Sequence, residues 1–147
     1  MHPYPHHYSV TASAAAEGSV TVNSPDLPAL VTAPPPQFDG PGGQWSPETL
    51  LCAALADCFI LTFRAIGRAT RFEWSRLESR VEGVLERVER VSYFTSFKTH
   101  ATLTVPAGTD PEKARKLLEQ AEHSCLISNS VRGTRTLEAQ VIVEDAH

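Results

Sequence analysis

Two of the three cysteines in this chain stand in contexts that suit chemistry. Cys58 closes the run Glu48-Thr-Leu-Leu-Cys-Ala-Ala-Leu-Ala-Asp-Cys58, and Cys125 lies in His123-Ser-Cys-Leu-Ile-Ser-Asn129. A thiolate is both a nucleophile and a metal ligand, so two cysteines carried by different helices point first to thiol redox chemistry. In that chemistry an oxidised thiolate becomes a sulfenic acid, which a second thiol can trap as a disulfide. An external dithiol then reopens the disulfide by exchange. The spacing of Cys58 alone does not select this reading. Leu51, Ala54, Leu55, Leu61 and Thr62 share its helical face, and a small thiol filling a core gap fits them equally well. Cys52, six residues earlier and off that face, reads as structural.

A metal site is the rival from another class. His123, Cys125, Cys58 and His100 offer soft ligands, but the spacing is not that of a zinc knuckle and no Cys-x-x-Cys is present. His2, His6 and His7 could take up a metal adventitiously, but with two prolines the first eight residues read as a solvated, flexible tail. Gly40-Pro-Gly-Gly43 lacks the lysine and hydroxyl residue of a phosphate loop and reads as a turn.

The elements that must position these groups follow from pattern. Ser9 to Ala15, Ser19 to Asn23 and Ala29 to Thr32 read as three short strands separated by Glu17-Gly18 and Ser24-Pro25-Asp26. After the Pro/Gly-rich stretch from Pro34 to Trp45, Ser46-Pro47-Glu48 gives an N-cap, a first helical proline and a first-turn acid. The helix body runs to about Thr70, with Arg64, Arg68 and Arg71 near its end, and is apolar enough to be buried over most of its surface. Arg76 to Val88 alternates as a strand, and so does Phe97 to Val105. Asp110-Pro111-Glu112 opens a second helix ending near Cys125, and Leu137 to Glu144 closes the chain as a strand. The order β-β-β-α-β-β-α-β predicts an α+β domain over residues 9–147, with a long central helix on an antiparallel sheet. The uncovered side of that helix calls for a homodimer.

Composition narrows the class. The 147 residues and 41% hydrophobic content suit one domain with its own core. Seventeen acidic against thirteen basic residues, with no basic block, lack the footprint of a nucleic-acid binder. No uninterrupted apolar run reaches the roughly 18 residues of a membrane span, and no leader pattern opens the chain, so the expectation is a cytoplasmic protein off the membrane.

Two stretches carry a family resemblance: Gly40-Pro-Gly-Gly-Gln-Trp-Ser-Pro-Glu-Thr-Leu-Leu-Cys-Ala-Ala-Leu-Ala-Asp-Cys58, and Glu122-His-Ser-Cys-Leu-Ile-Ser-Asn-Ser-Val-Arg-Gly133. Both resemble the OsmC/Ohr family, the osmotically inducible and organic hydroperoxide resistance proteins. The resemblance implies an intertwined homodimer with a site at the subunit interface. It also implies a peroxidase that reduces organic hydroperoxides, needs no bound cofactor, and is recharged in the hydroperoxide branch by lipoyl-bearing proteins. It assigns Cys58 as the peroxidatic thiol, Cys125 as the resolving thiol and Glu48 as the active-site acid. Ten helical residues, about 15 Å, separate Glu48 from Cys58, so the acid would act across the dimer or through an arginine. Otherwise Glu48 complements the helix N-terminus, worth about 0.3–1 kcal/mol.

Two departures stand out. The arginine that the hydroperoxide branch carries in its first hairpin turn is missing from Ala14-Ala-Ala-Glu-Gly-Ser-Val20, which leaves Arg132 as the better replacement cation and Arg64 on the wrong side of its helix. Leu126 stands where the motif has proline. Both favour the broader OsmC-like group, and keep open a dimer that senses redox state or binds a small ligand with little peroxidase activity.

Overall fold

Ser46 starts the long helix as its sequence predicts. In the computed structural model, which describes residues 1–146, the Ser46 hydroxyl accepts from the Thr49 backbone N–H at 3.1 Å, and the Thr49 hydroxyl accepts from the Ser46 N–H at 2.9 Å. This reciprocal cap satisfies two backbone donors that the first helical turn leaves open. The helix, α1, runs Pro47–Thr70.

The chain divides into two compact units, residues 1–51 and residues from Cys52 onward. In the first, β1 (Thr11–Ser13), β2 (Val20–Asn23) and β3 (Leu30–Thr32) form an antiparallel three-stranded sheet. These are the expected strands, trimmed at their ends. Thr32 makes an isolated bridge to Trp45, and the Ala33 N–H donates to the Trp45 carbonyl at 2.9 Å, which closes the Pro/Gly-rich loop before α1.

In the second unit, β4 (Arg76–Val88) and β5 (Val91–Val105) form a long antiparallel hairpin with a bulge at Val84/Leu85. Its two turn residues, Glu89 and Arg90, sit at φ 52° and 71°. The left-handed region is unusual for such side chains. Helix α2 (Pro111–Ser124) is capped by Asp110, whose carboxylate accepts from the Glu112 N–H at 3.0 Å. The last strand, β6 (Thr134–Val143), pairs parallel with β5 from Ser96↔Thr134 to Val105↔Val143. The expected sheet is therefore two three-stranded sheets, antiparallel apart from this one edge. The parallel pairing follows from α2, which acts as the crossover that two parallel neighbours require.

The core lies between this sheet and the helices. Leu77 of β4 and Ala101, Leu103 and Val105 of β5 cluster with Phe59 and Phe63 of α1 and Ala114, Leu117, Leu118 and Ala121 of α2. Phe63 is fully buried and meets Trp74 edge-on at 5.4 Å and Phe72 at 6.4 Å between centroids. Burying each such phenylalanine is worth about 1.5–3 kcal/mol. On the opposite face, His100 lies between Glu82 (3.1 Å) and Glu138 (3.5 Å), with Lys98 on Glu138 and Arg80 on Glu82.

One expectation is corrected. Of α1, only the i, i+4 stripe Leu55, Phe59, Phe63 and Gly67 is buried, and Leu61 is 49% exposed. A single sheet can cover only one stripe of a helix. The helix also holds an 18-residue window of mean hydropathy 1.8, long and apolar enough by composition to cross a membrane. Counting only uninterrupted apolar residues passed over this. Its buried phenylalanine stripe gives it the part of a core helix.

Candidate thiol site

Helix periodicity aims Cys58 away from the phenylalanine stripe. Its Sγ lies 3.8 Å from the Thr62 hydroxyl one turn on, and the residue is partly buried. Cys125 arrives from the other end of the unit as the C-cap of α2, its backbone extended at φ −65° and ψ 111°, and it is fully buried. The two thiols are neighbours, close enough for Cys58 to act on the titration of Cys125. The structure thus brings together the two cysteines that the sequence singles out.

Burial pushes the Cys125 thiol up. The Ser128 hydroxyl and backbone N–H beside it pull it back, and the neighbouring Cys58 thiol adds to the rise. The physical conflict is between desolvation, which disfavours a thiolate, and donors aimed at it, which favour one. Ser128 escaped the sequence reading. Its signal is present in Cys125-Leu-Ile-Ser128, where a hydroxyl follows the thiol by the three residues of a tight turn. A 3₁₀ turn at Ser128–Ser130 delivers it, with the Asn129 N–H donating to the Cys125 carbonyl at 3.0 Å.

Cys52 occupies a different environment. Burial raises its thiol, and a hydrogen bond from the Gly83 backbone opposes this. A Cβ at Gly83 would stand 3.1 Å from the Cys52 Sγ and 2.8 Å from the Phe94 ring, so the glycine lets the strand approach the helix here.

The other expected site residues lie as follows. Glu48, in the first turn of α1, has one carboxyl oxygen buried without a hydrogen-bond partner. Arg132 stacks on the Tyr93 ring, 4.0 Å from guanidinium carbon to ring centroid. The next residue, Gly133, has φ +107°, and a Cβ there would come within 2.9 Å of the Thr95 carbonyl oxygen. Leu126 is 64% exposed. His100 belongs to the charge row on the sheet, and among the described residues no three His, Cys, Asp or Glu side chains gather as a metal group.

Relatives match this architecture. An uncharacterized protein of Bacillus subtilis (strain 168), YmaD, is 27% identical over 127 residues, covering 84% of each chain. An OsmC-like protein of unknown function from Vibrio cholerae superposes with a TM-score of 0.82 at 18% identity, over 92% of this chain and 99% of its own. An organic hydroperoxide resistance protein from Legionella pneumophila gives 0.75 at 23% identity over 95% and 99%, and one from Elizabethkingia anophelis gives 0.77 at 19% over 96% and 99%. The sequence model of the OsmC-like proteins matches residues 40–140, a span holding α1, α2, both motif stretches and all three cysteines. By that match this chain belongs to the OsmC-like protein family.

Proposed function

We propose that the chain is a thiol-dependent peroxidase that reduces organic hydroperoxides, and hydrogen peroxide as a lesser substrate, through Cys58 and Cys125. The observation that carries this reading is the nearness of the two thiols, Cys58 being among the groups that act on the buried Cys125 sulfur. Cys58, the less buried of the two, is the attacking group. Its thiolate displaces an alcohol from the hydroperoxide and becomes a sulfenic acid. Cys125 then attacks that sulfur, a disulfide forms and water leaves. A dithiol, by family resemblance a lipoyl-bearing protein, returns both thiols by exchange. Hydroperoxide resistance in the names of the Legionella and Elizabethkingia proteins supports the substrate class. The cycle itself needs no metal or organic cofactor, and a reducing cytoplasm suits it.

A second copy of the chain completes the site in this reading. Leu61 and the other apolar residues outside the buried stripe of α1 would pack in a homodimer, and the unpartnered Glu48 oxygen would find its counterpart across that interface. Arg132 supplies the cation in place of the missing hairpin arginine. Stacking on Tyr93 occupies its face and leaves its N–H edges for pairing. A redox-sensing dimer is the second reading, favoured by the raised, fully buried Cys125 thiol, which suits slow closure.

The test treats reduced protein with one equivalent of cumene hydroperoxide, then of hydrogen peroxide, and follows peroxide loss together with intact mass and peptide mapping. Rapid loss with a Cys58–Cys125 disulfide, abolished by Cys58→Ser, is expected. Thiols that stay reduced for minutes would count against the peroxidase and for the sensor.

A further inference from the structure

The turn carrying Cys125 is tied down on both sides by groups outside the thiol pair. Asn129 Nδ2 donates to the His123 carbonyl at 3.2 Å, fastening the turn to the last residues of α2. Its Oδ1 accepts from Arg135 Nη2 at 3.2 Å, fastening the same side chain to β6. Arg135 occupies the inward row of β6 ahead of Leu137, Ala139 and Val141, which pack on the core. A charge at such a position needs a partner. It faces Glu122 on α2, one turn before Cys125, at 4.0 Å between Nη1 and Oε1. Both side chains are largely buried, 27% and 14% exposed. This prong is slack: Arg135 Nη1 and Glu122 Oε2 are both buried with no hydrogen-bond partner. They border a cavity of about 430 Å³ lined by Glu119, Glu122, His123, Arg135 and Leu137.

The geometry points to Asn129, Arg135 and Glu122 as positioning residues for Cys125, holding its turn against Cys58 with one tight and one loose prong. This rests on the disulfide cycle proposed above. Drawing two free neighbouring thiols into a bond of about 2.05 Å moves sulfur by more than an ångström. The turn must follow that movement without losing its place. The Asn129 prong keeps the turn registered on α2, while the loose Arg135–Glu122 prong has room in the cavity to shift. Intramolecular closure depends steeply on placement, and a displacement of about 1 Å can cost on the order of 100-fold in rate.

Diamide isolates this step from peroxide chemistry. The Cys58 thiolate adds to its N=N bond, and the Cys125 thiolate then displaces the adduct, so the two thiols lose two electrons and two protons and diamide leaves as the hydrazine. Disulfide closure in Arg135→Met and Asn129→Ala is to be timed by quenched intact mass on full-length protein. Dimedone capture of Cys58 after a peroxide pulse and melting of the reduced protein are followed in parallel. Closure at least tenfold slower in both variants is expected, with dimedone capture at the wild-type rate and the reduced melting temperature unchanged. The double variant should be no slower than the worse single one, because both act through one chain of contacts. Wild-type closure in either variant overturns the assignment, and so does slowing that only tracks a lost melting temperature. A wild-type protein that closes with diamide but ignores cumene hydroperoxide overturns the peroxidase reading alone.

Discussion

Replacing Ser128 by alanine removes the hydroxyl that holds the Cys125 sulfur and little else, since the serine is a small side chain, 5% exposed, in a turn whose backbone bonds remain. A hydrogen bond to a charged group is worth about 1.5–3 kcal/mol. Its loss raises the already elevated Cys125 thiol further, and the thiolate fraction near neutrality falls by about 10- to 100-fold. Part of that returns, because nucleophilicity rises with basicity with a coefficient of about 0.4–0.5. Closure on the Cys58 sulfenic acid should therefore slow by roughly three- to sixteenfold. The titration is best read by NMR of ¹³Cβ-labelled cysteine in a Cys52→Ser, Cys58→Ser background, and closure by quenched-flow mass analysis of the Ser128→Ala chain with its cysteines intact. A Cys125 titration at or below that of the parent would refute the reasoning, for the hydroxyl would then not be aimed at the thiolate.

Other expectations follow from the same contacts. Gly83→Ala forces a methyl within 2.8 Å of the Phe94 ring and 3.1 Å of Cys52, and should cost about 1–3 kcal/mol in urea unfolding; an unchanged midpoint would mean that the strand simply moves away. Glu89→Asn with Arg90→Gly relieves two left-handed residues in the β4–β5 turn and should stabilise by about 0.5–2 kcal/mol, with a lower melting temperature as the contrary result. Burial raises the Glu122 carboxyl, with the Arg135 and His123 charges opposing. The folded chain thus holds that proton more tightly than the unfolded one. Its contribution to stability is full below the unfolded value of about 4.3 and is lost as pH rises through the raised folded value. Urea curves at pH 4 and pH 7 should show Glu122→Gln gaining on the wild type as pH rises, and a difference that stays constant would remove the linkage. Leu61→Glu changes an exposed position of the single chain, so its fold should survive while sedimentation shows monomer in place of dimer.

Much of this was readable in the residues because the signals were local. Ser46-Pro47 and Asp110-Pro111 marked both helix starts to the residue, since capping is decided by neighbours within one turn. Alternation marked β4 from Arg76 to Val88 at its observed ends, but it missed the first six residues of β5, where bulge and twist break the period of two. Proximity of Cys58 and Cys125 came only with the family resemblance, because no spacing rule relates residues on separate helices. The parallel pairing of β6, the Ser128 contact and the Arg135–Glu122 prong depend on how α2 crosses back over the sheet. Arg135 lies two residues ahead of the strand expected from Leu137, and only the observed start of β6 at Thr134 puts it in the row that faces the core.

The crossover placement of Cys125 gives oxidation a mechanical meaning. A bond between Cys58 and Cys125 would staple α1 to the far end of α2 and close a loop that contains the whole β4–β5 hairpin. Constraining a loop of that length in the unfolded chain is worth about 4 kcal/mol, a sizeable share of a small domain's stability. In the proposed thiol cycle each turn would alternate a less stable reduced chain with a more stable oxidised one, and a reductant would have to work against that difference.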